Sequence, residues 1–159
     1  MVQTGDTAPG FTAPLANGDV ETFSLSDHRE EAPLVLAFFP GAFTGVCTNE
    51  MVAFREKLSE FEEVGATVYG ISVDLPFALN EFREKHDLPF GLISDFNREL
   101  IDAYDVRMDF EDLGLQGIAK RSVFVIDETG DVTWTWVSED AGVEPDYDAV
   151  RAAAEDAAE

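Results

Sequence analysis

The sequence predicts a mixed α/β fold, in which helices flank a central mixed β-sheet. Three observations lead to this prediction. Short apolar runs that are typical of buried strands alternate with segments whose apolar residues recur at helical spacing. Two strand-like segments near residues 121–137 are joined by a turn. An alanine-rich segment then closes the chain, and this order of elements is typical of helices packed on a mixed sheet.

The first predicted element is a hairpin within residues 11–25. Asn17-Gly18 is a strong turn signal, and it lies between two short apolar stretches. Asp27 and Glu30 then have the spacing of a small capping box. We therefore expect the chain to begin with a hairpin and a short helical turn.

A strand–helix–strand unit follows and forms the centre of the predicted fold. Residues 34–39 read as a buried strand that ends at Pro40, and residues 66–73 read as a second strand. The helix predicted between them spans residues 44–64, and its apolar positions recur at helical spacing: Phe54, Leu58, Phe61 and Val64. A crossover of this kind joins parallel strands with a right-handed connection.

The remaining elements complete the sheet and its helices. They are a helix from Pro76 to about residue 86, a strand at 90–93, a helix at 97–104, an antiparallel hairpin of 121–127 and 131–137, and a helix from about Asp146. No linker or low-complexity segment interrupts this order. We therefore expect a single domain over residues 1–159.

The charge of the chain is extreme. Asp and Glu contribute 33 residues against 10 Lys and Arg, which gives a formal net charge of −23. This balance argues against nucleic acid or an anionic membrane as a partner, since both need basic patches. Molar salt would screen the repulsion between such charges, so our hypothesis is a protein from a halophile. The alternative is a merely acidic protein that its charge keeps soluble.

The sequence also predicts a cytoplasmic protein. No stretch approaches the roughly 18 apolar residues that a membrane span needs. Residues 1–6 are neither basic nor apolar, so they do not resemble a signal peptide. A single cysteine cannot form an internal disulfide. His28 and His86 match no metal-ligand spacing and read as surface residues, so we expect neither a metal nor another cofactor.

Cys47 is the only cysteine, and its context indicates a reactive thiol. Thr44 is a typical N-cap residue, so Cys47 falls in the first turn of the predicted helix. Unpaired backbone N–H groups and the positive end of the helix dipole meet there and favour a thiolate. The site also lies at the carboxyl end of a central strand, where open α/β sheets carry their sites. The other interpretation is an inert cysteine that packs as a small hydrophobe.

The motif Pro40-x-x-x-Thr44-x-x-Cys47 resembles the active-site motif of the peroxiredoxins, which are thiol peroxidases with a thioredoxin-like fold. Similarity to this family covers nearly the whole chain. It extends to four further segments: Gly5 to Phe11, Ser72-Val-Asp74 with Phe82, Leu92 to Asp95 with Tyr104, and Arg121 to Asp127. The pattern is most similar to the one-cysteine type, represented by alkyl hydroperoxide reductase E, and then to the bacterioferritin comigratory proteins.

The resemblance implies a thioredoxin-like fold with an N-terminal hairpin and a set of catalytic residues. The thiolate of Cys47 would attack a peroxide and become a sulfenic acid. Thr44 and Arg121 would stabilise the charge that builds on the leaving oxygen. Pro40 would shield the sulfenate from water, and Glu50 could orient Arg121.

Each of these residues also has a simpler interpretation. Thr44 can be only an N-cap, Arg121 a surface ion-pair partner, and Pro40 a strand terminator. Glu50 can equally be a solvated charge on the helix, which the sequence alone favours. Phe43 reads as a core residue, with a place at an apolar entry for organic peroxides as the alternative.

The resemblance also implies how the enzyme would be recycled. Val52 stands where the bacterioferritin comigratory type often carries its second cysteine. The sulfenic acid must then be resolved by an external thiol, either a small thiol or a thioredoxin- or glutaredoxin-type protein. A homodimer is implied as well. The alternative functions are a redox sensor or holdase that uses Cys47 stoichiometrically, and a structural domain in which Cys47 is inert.

Overall fold

A computed structural model describes residues 2–159, so Met1 of the predicted domain lies outside the described residues. Over this range the chain forms a seven-stranded mixed sheet in the order β2-β1-β5-β4-β3-β8-β9 and a separate two-stranded sheet, β6-β7. The strands are β1 Thr12–Ala16, β2 Val20–Ser24, β3 Leu34–Phe38, β4 Thr67–Ser72, β5 Leu92–Ser94, β6 Arg107–Phe110, β7 Leu115–Ala119, β8 Ser122–Ile126 and β9 Val132–Val137. The predicted mixed α/β fold is confirmed.

The N-terminal hairpin forms where the sequence predicts it. β1 and β2 are antiparallel, with Ala16 opposite Val20, and Gly18 between them has a φ of +109° that favours glycine. The capping box predicted at Asp27 and Glu30 is wrong. A 3-10 helix, Leu25–Glu31, begins one turn earlier after Ser24, and no side chain caps it.

The central strand–helix–strand unit also forms, with β3 parallel to β4 and Val35 opposite Val68. Its helix differs from the single predicted one. The chain forms α1, Gly45–Glu56, and α2, Leu58–Glu63, which are separated at Lys57, where φ is −102° and ψ is 5°. Phe61 of the second segment is fully buried in the same core as Phe54 of the first.

The remaining helices are α3 Pro76–Lys85, α4 Glu99–Ala103 and α5 Tyr147–Ala157. Pro76 is the first residue of α3, as predicted, because its fixed φ suits that position and its missing N–H is not needed there. Trp134 and Trp136 lie on β9, half-buried against the same core. None of the helices described over residues 2–159 is long and apolar enough to span a bilayer.

The β6–β7 hairpin is an element that the sequence analysis did not predict. Its strands are short, and the 3-10 turn Glu111–Leu113 joins them. β6 alternates between exposed and half-buried residues, and β7 is exposed at Leu115 and Gln116 but buried from Gly117 to Ala119. Arg107 and Asp109 alternate with Met108 and Phe110, so no continuous apolar run marks the first strand. We call this segment, Arg107–Ala119, the β6–β7 arm.

Two apolar clusters pack on opposite faces of the large sheet. Val35 and Ala37 of β3 belong to one cluster, whereas Leu34, Leu36 and Phe38 belong to the other, because successive side chains of a strand alternate between faces. The first cluster includes Cys47 and residues of α1, α2, α3 and α5, and the second includes residues of α4. Cys47 therefore lies at the end of a fully buried strand, in a rigid part of the fold.

Candidate active site

Cys47 lies in the first turn of α1, directly after the carboxyl end of β3. Thr44 occupies the N-cap position and Cys47 is the third helical residue, with only 1% of its surface exposed. The first N–H groups of a helix have no acceptor within it, so they converge near the sulfur. The Thr44 side chain accepts no capping bond from the first turn, and its hydroxyl donates to the carbonyl of Gly41 at 2.8 Å.

Arg121 reaches the sulfur from the neighbouring strand. β8 is antiparallel to β3 with Ser122 opposite Phe38, so Arg121, one residue earlier, lies beside the chain that leaves β3. Its Nη2 donates to Cys47 Sγ at 3.2 Å. Arg121 is 1% exposed, so its interpretation as a surface ion-pair partner is wrong.

The other donors of Arg121 are also occupied. Nη1 donates to Glu50 Oε1 at 2.8 Å, while Nε and Nη2 donate to the carbonyl of Ala141 at 3.1 and 2.8 Å. Glu50 is fully buried one turn after Cys47, so its interpretation as a solvated charge is wrong. These contacts fix the guanidinium plane with one nitrogen on the sulfur.

Burial of this ion pair disfavours the ionised form of the Glu50 carboxylate. Burial raises the pKa of Glu50 to about 7, although the charge and hydrogen bond of Arg121 oppose this, and nearby Glu144 raises it further. Glu50 Oε2 has no hydrogen-bond partner among residues 2–159. For Arg121, burial alone would lower the pKa, but Glu50 and Cys47 together raise it. The guanidinium is thus a permanent positive charge beside the sulfur.

A cleft of about 320 Å³ leads to Cys47. Pro40, Thr44 and Arg121 line it together with Cys47, so the structure brings these four predicted residues together. Its opposite wall is apolar and comes largely from the β6–β7 arm: Phe110, Leu113, Leu115 and Ile118. Phe43 is 52% exposed and packs on Phe82 outside the cleft, so its interpretation as a core residue and its alternative place at the apolar entry are both wrong.

Two contributors to the site were missed by the sequence analysis. The carbonyl of Ala141 belongs to the loop between β9 and α5, and a backbone acceptor leaves no mark in a sequence. The apolar wall had a weak signal, since Leu115 and Ile118 flank Gly117 in an otherwise polar stretch. The two histidines lie elsewhere: His28 is half-buried against Phe23 and contacts Glu31, and His86 packs against Phe82.

Comparison with known proteins agrees with this site. The model of the AhpC/TSA family matches residues 4–135. Among curated proteins, one named as a peroxiredoxin from Mycobacterium tuberculosis H37Rv is 40% identical over 130 residues, 80% of each chain. Peroxiredoxin Bcp of Bacillus subtilis is 34% identical over 136 residues, 85% of each chain.

The solved structures agree on the fold. The peroxidoxin BcpB of Mycobacterium tuberculosis superposes with a TM-score of 0.85, at 31% identity over 98% of each chain. This likeness covers the N-terminal hairpin, the mixed sheet and the terminal helix, so the predicted thioredoxin-like fold is confirmed. The chain belongs to the AhpC/TSA family, the peroxiredoxins, and is a thiol-dependent peroxidase.

Proposed function

We propose that Cys47 is the peroxidatic residue and that it reduces hydrogen peroxide and organic hydroperoxides in a one-cysteine cycle. The observation that carries this proposal is the contact between Arg121 Nη2 and Cys47 Sγ, 3.2 Å long, at the base of an open cleft. The contact places a fixed cation on the sulfur atom that would attack the peroxide, and the attacking species in such a reaction is the thiolate.

The proposed chemical step is a two-electron transfer from sulfur to the peroxide. The Cys47 thiolate attacks the terminal oxygen of ROOH, a sulfur–oxygen bond forms, and the O–O bond breaks. The leaving RO⁻ takes the proton of the transferred OH, which gives ROH and a sulfenate. The sulfur is oxidised by two electrons and the peroxide is reduced by two.

Ionisation of the thiol cannot supply the whole rate. A free cysteine is already a few per cent thiolate at pH 7, so full ionisation gains a factor of only about 30, or about 2 kcal/mol. The remainder must come from groups that interact more strongly with the transition state than with the ground state. Arg121 and the backbone N–H of Cys47 are donors that can stabilise the charge on the leaving oxygen.

The part of Thr44 in this proposal differs from the one that the resemblance implied, because its hydroxyl proton is donated to Gly41 and not to the leaving oxygen. Its hydroxyl proton is directed at the Gly41 carbonyl, so its oxygen presents lone pairs to the cleft. It can therefore accept a hydrogen bond from the O–H of the peroxide and orient the O–O bond for attack. Pro40 lines the cleft without an N–H donor and would limit access of water to the sulfenate, while Glu50 would hold Arg121 in place.

The cycle closes with an external thiol. Cys47 is the only cysteine in the sequence. A first thiol would form a mixed disulfide with the sulfenic acid and release water, and a second would release Cys47 as the free thiol. A small thiol and a thioredoxin- or glutaredoxin-type protein both fit this chemistry. The homodimer and the cytoplasmic location also stay predictions, and sedimentation velocity would test the first of them.

Stopped-flow fluorescence tests the proposal, with Trp134 and Trp136 as probes because they pack on the core cluster that contains Cys47. The reduced protein should react with H2O2 orders of magnitude faster than a free thiol. Thr44→Val and Arg121→Ala should each lower the second-order rate constant by about 10²–10³-fold, the usual loss for one such interaction.

Three controls accompany this measurement. Cys47→Ser should abolish the signal. Thr44→Ser keeps the hydroxyl and should retain most of the rate, and it tests the role of Thr44 at an exposed position where folding is not at risk. Arg121→Lys keeps the charge but loses the planar fork, so its rate should lie between those of the wild type and Arg121→Ala. A wild-type rate equal to that of a free thiol would refute the proposal.

A further inference from the structure

The β6–β7 arm gives the cleft an apolar wall that hydrogen peroxide does not need. Leu113 and Leu115 line the cleft, and their side chains are 69% and 44% exposed. Leucines with this exposure contribute little to the core. Phe110 and Ile118 of the same arm continue the wall towards Cys47. An organic group attached to the peroxide would be desolvated against these side chains while the O–O bond reaches the sulfur.

The rim of this wall is acidic. Glu111 and Asp112 lie between Phe110 and Leu113, which both line the cleft, and both acidic residues are exposed. Asp109 lies directly before them and accepts a hydrogen bond from the backbone of Gly117, which ties it to the arm. The segment that supplies Phe110 and Leu113 to the cleft therefore also carries three carboxylates, of which Glu111 and Asp112 lie between those two cleft residues in the chain.

Basic residues near the arm offset part of this charge: Arg98 Nε donates to the carbonyl of Gly117 at 2.8 Å, and Arg107 interacts electrostatically with Asp109 as well as Asp102. Among residues 2–159, however, no basic side chain forms an ion pair with Glu111 or Asp112. Arg107 makes two hydrogen bonds to Asp102, and Lys120 contacts Glu139 at 3.0 Å. Arg121 is directed at Cys47, Glu50 and Ala141 inside the site. The rim thus adds a local negative potential to the formal net charge of −23 of the whole chain.

We propose that the β6–β7 arm selects neutral, apolar organic hydroperoxides and disfavours those that carry a carboxylate, with Leu113 and Leu115 contacting the organic group and Glu111 and Asp112 repelling anions. This inference rests on the proposed peroxidase function of Cys47. The discrimination follows from two separate physical effects, apolar contact and charge repulsion, which different variants can remove one at a time.

A matched pair of substrates tests the charge effect. Cumene hydroperoxide and its para-carboxylate have the same hydrocarbon skeleton and differ in one negative charge. At 50 mM salt we expect the second-order rate constant with Cys47 to be about tenfold lower for the carboxylate, a typical size for electrostatic steering. In 2 M KCl the Debye length falls below about 3 Å, so the difference should largely disappear.

Neutralising the rim separates its effect from that of the net charge. The double variant Glu111→Gln/Asp112→Asn should bring the two low-salt rate constants closer together. The control Asp156→Asn/Glu159→Gln removes the same charge from exposed residues at the other end of the sheet, near Pro33. In this control the difference between the rate constants for cumene hydroperoxide and its carboxylate should equal that of the wild type. Asp109 is kept unchanged because of its contact with Gly117.

A second double variant tests the apolar wall. In Leu113→Ser/Leu115→Ser the ratio of the rate constants for cumene hydroperoxide and H2O2 should fall about tenfold, the usual size for apolar groups in a pocket. The control Leu75→Ser/Phe77→Ser changes two residues of similar exposure, 47% and 68%, outside the cleft, and should keep the wild-type ratio.

The outcomes separate this inference from the proposed function. Slow reaction of the wild type with all three peroxides would refute the peroxidase role of Cys47 itself. Fast reaction with H2O2 but equal rates for cumene hydroperoxide and its carboxylate at low salt would overturn the selection by charge. An unchanged ratio in Leu113→Ser/Leu115→Ser would overturn the role of the apolar wall.

Discussion

Glu50 is the residue at which burial and charge conflict most strongly. Its carboxylate has no exposed surface and only one of its two oxygens has a partner among residues 2–159. A buried ion pair recovers the cost of desolvation only when the remaining polar atoms are also satisfied. The raised pKa of Glu50, about 7, is the consequence, and it makes the stability of this protein depend on pH.

The free energy of unfolding falls as the pH rises through the range in which Glu50 ionises. Below pH 4.5 Glu50 is protonated in both the folded and the unfolded chain and has no effect. Between pH 4.5 and about 7 the unfolded chain loses its proton first, so the folded state becomes less stable as the pH rises. Relative to Glu50→Gln, the wild type should lose up to about 3 kcal/mol of unfolding free energy between pH 4 and 8.

Urea unfolding of both proteins from pH 4 to 8 measures this difference directly. Only the change with pH is diagnostic, because Glu50→Gln also leaves Arg121 without its ionic partner at every pH. As a control, the unfolding free energy of Glu155→Gln, at an exposed position of α5, should change with pH in the same way as that of the wild type. A constant difference between Glu50→Gln and the wild type across the range would show that the pKa of Glu50 is the same in the folded and the unfolded chain.

The sequence predicts which residues form the reactive centre more accurately than it predicts the contacts around them. The spacing of Pro40, Thr44 and Cys47 on one strand–helix junction follows from local pattern alone. Arg121 enters through the resemblance, and its burial against Glu50 depends on the antiparallel pairing of β8 with β3. Glu50 looks like any helix charge until that pairing is known, which is why its solvated interpretation failed.

Elements with a strong local signal form where the sequence predicts them, and α5 is the best example. Asp146 is its N-cap, and the side chain accepts from the backbone N–H groups of Asp148 and Ala149. Val150 and Ala154 on its buried face then pack against the sheet. The helix is thus held by one cap and one apolar stripe.

Removing this cap has a predictable cost. Asp146→Ala should lower the unfolding free energy by about 1 kcal/mol and the melting temperature by about 2–4 °C. Asp146→Asn can still accept the same hydrogen bonds and should stay close to the wild type. Calorimetry of the three proteins measures both effects. Equal melting temperatures for Asp146→Ala and the wild type would mean that packing alone fixes the start of α5.

Elements that depend on distant contacts are harder to predict. The break at Lys57 carries no proline or glycine, so no local signal in the sequence marks it. In the β6–β7 arm polar residues and glycine interrupt the apolar ones, and its two strands pair with each other and not with the large sheet. Both features follow from tertiary packing that overrides local preference.

For the whole molecule, the order of the elements determines the position of the site. β3 is central, its neighbours are parallel β4 and antiparallel β8, and their pairing places α1 and Arg121 at the same end of the sheet. A sequence that alternates strands and helices and closes with a hairpin allows few other arrangements. The site could therefore be placed before any contact in it was known.

The net charge of −23 acts on the molecule as a whole, and we propose that it reflects adaptation to molar salt. The pI is about 4.1, so at neutral pH the folded chain holds many like charges close together, while the unfolded chain spreads them apart. Raising the salt from 0.1 M to 1 M shortens the Debye length from about 10 Å to about 3 Å. Screening should then stabilise the compact state more than the extended one.

Thermal unfolding in KCl tests this adaptation. Between 0.05 M and 1 M KCl at pH 7 we expect the melting temperature to rise by about 5 °C, which corresponds to roughly 1–2.5 kcal/mol in a chain of this size. The gain should level off above 1 M, because the repulsion is by then screened, and it should shrink at pH 4.1, where the net charge approaches zero. A gain that continues linearly with salt and is equal at both pH values would instead reflect stronger burial of apolar surface. No gain at all would leave an acidic protein whose charge serves only solubility.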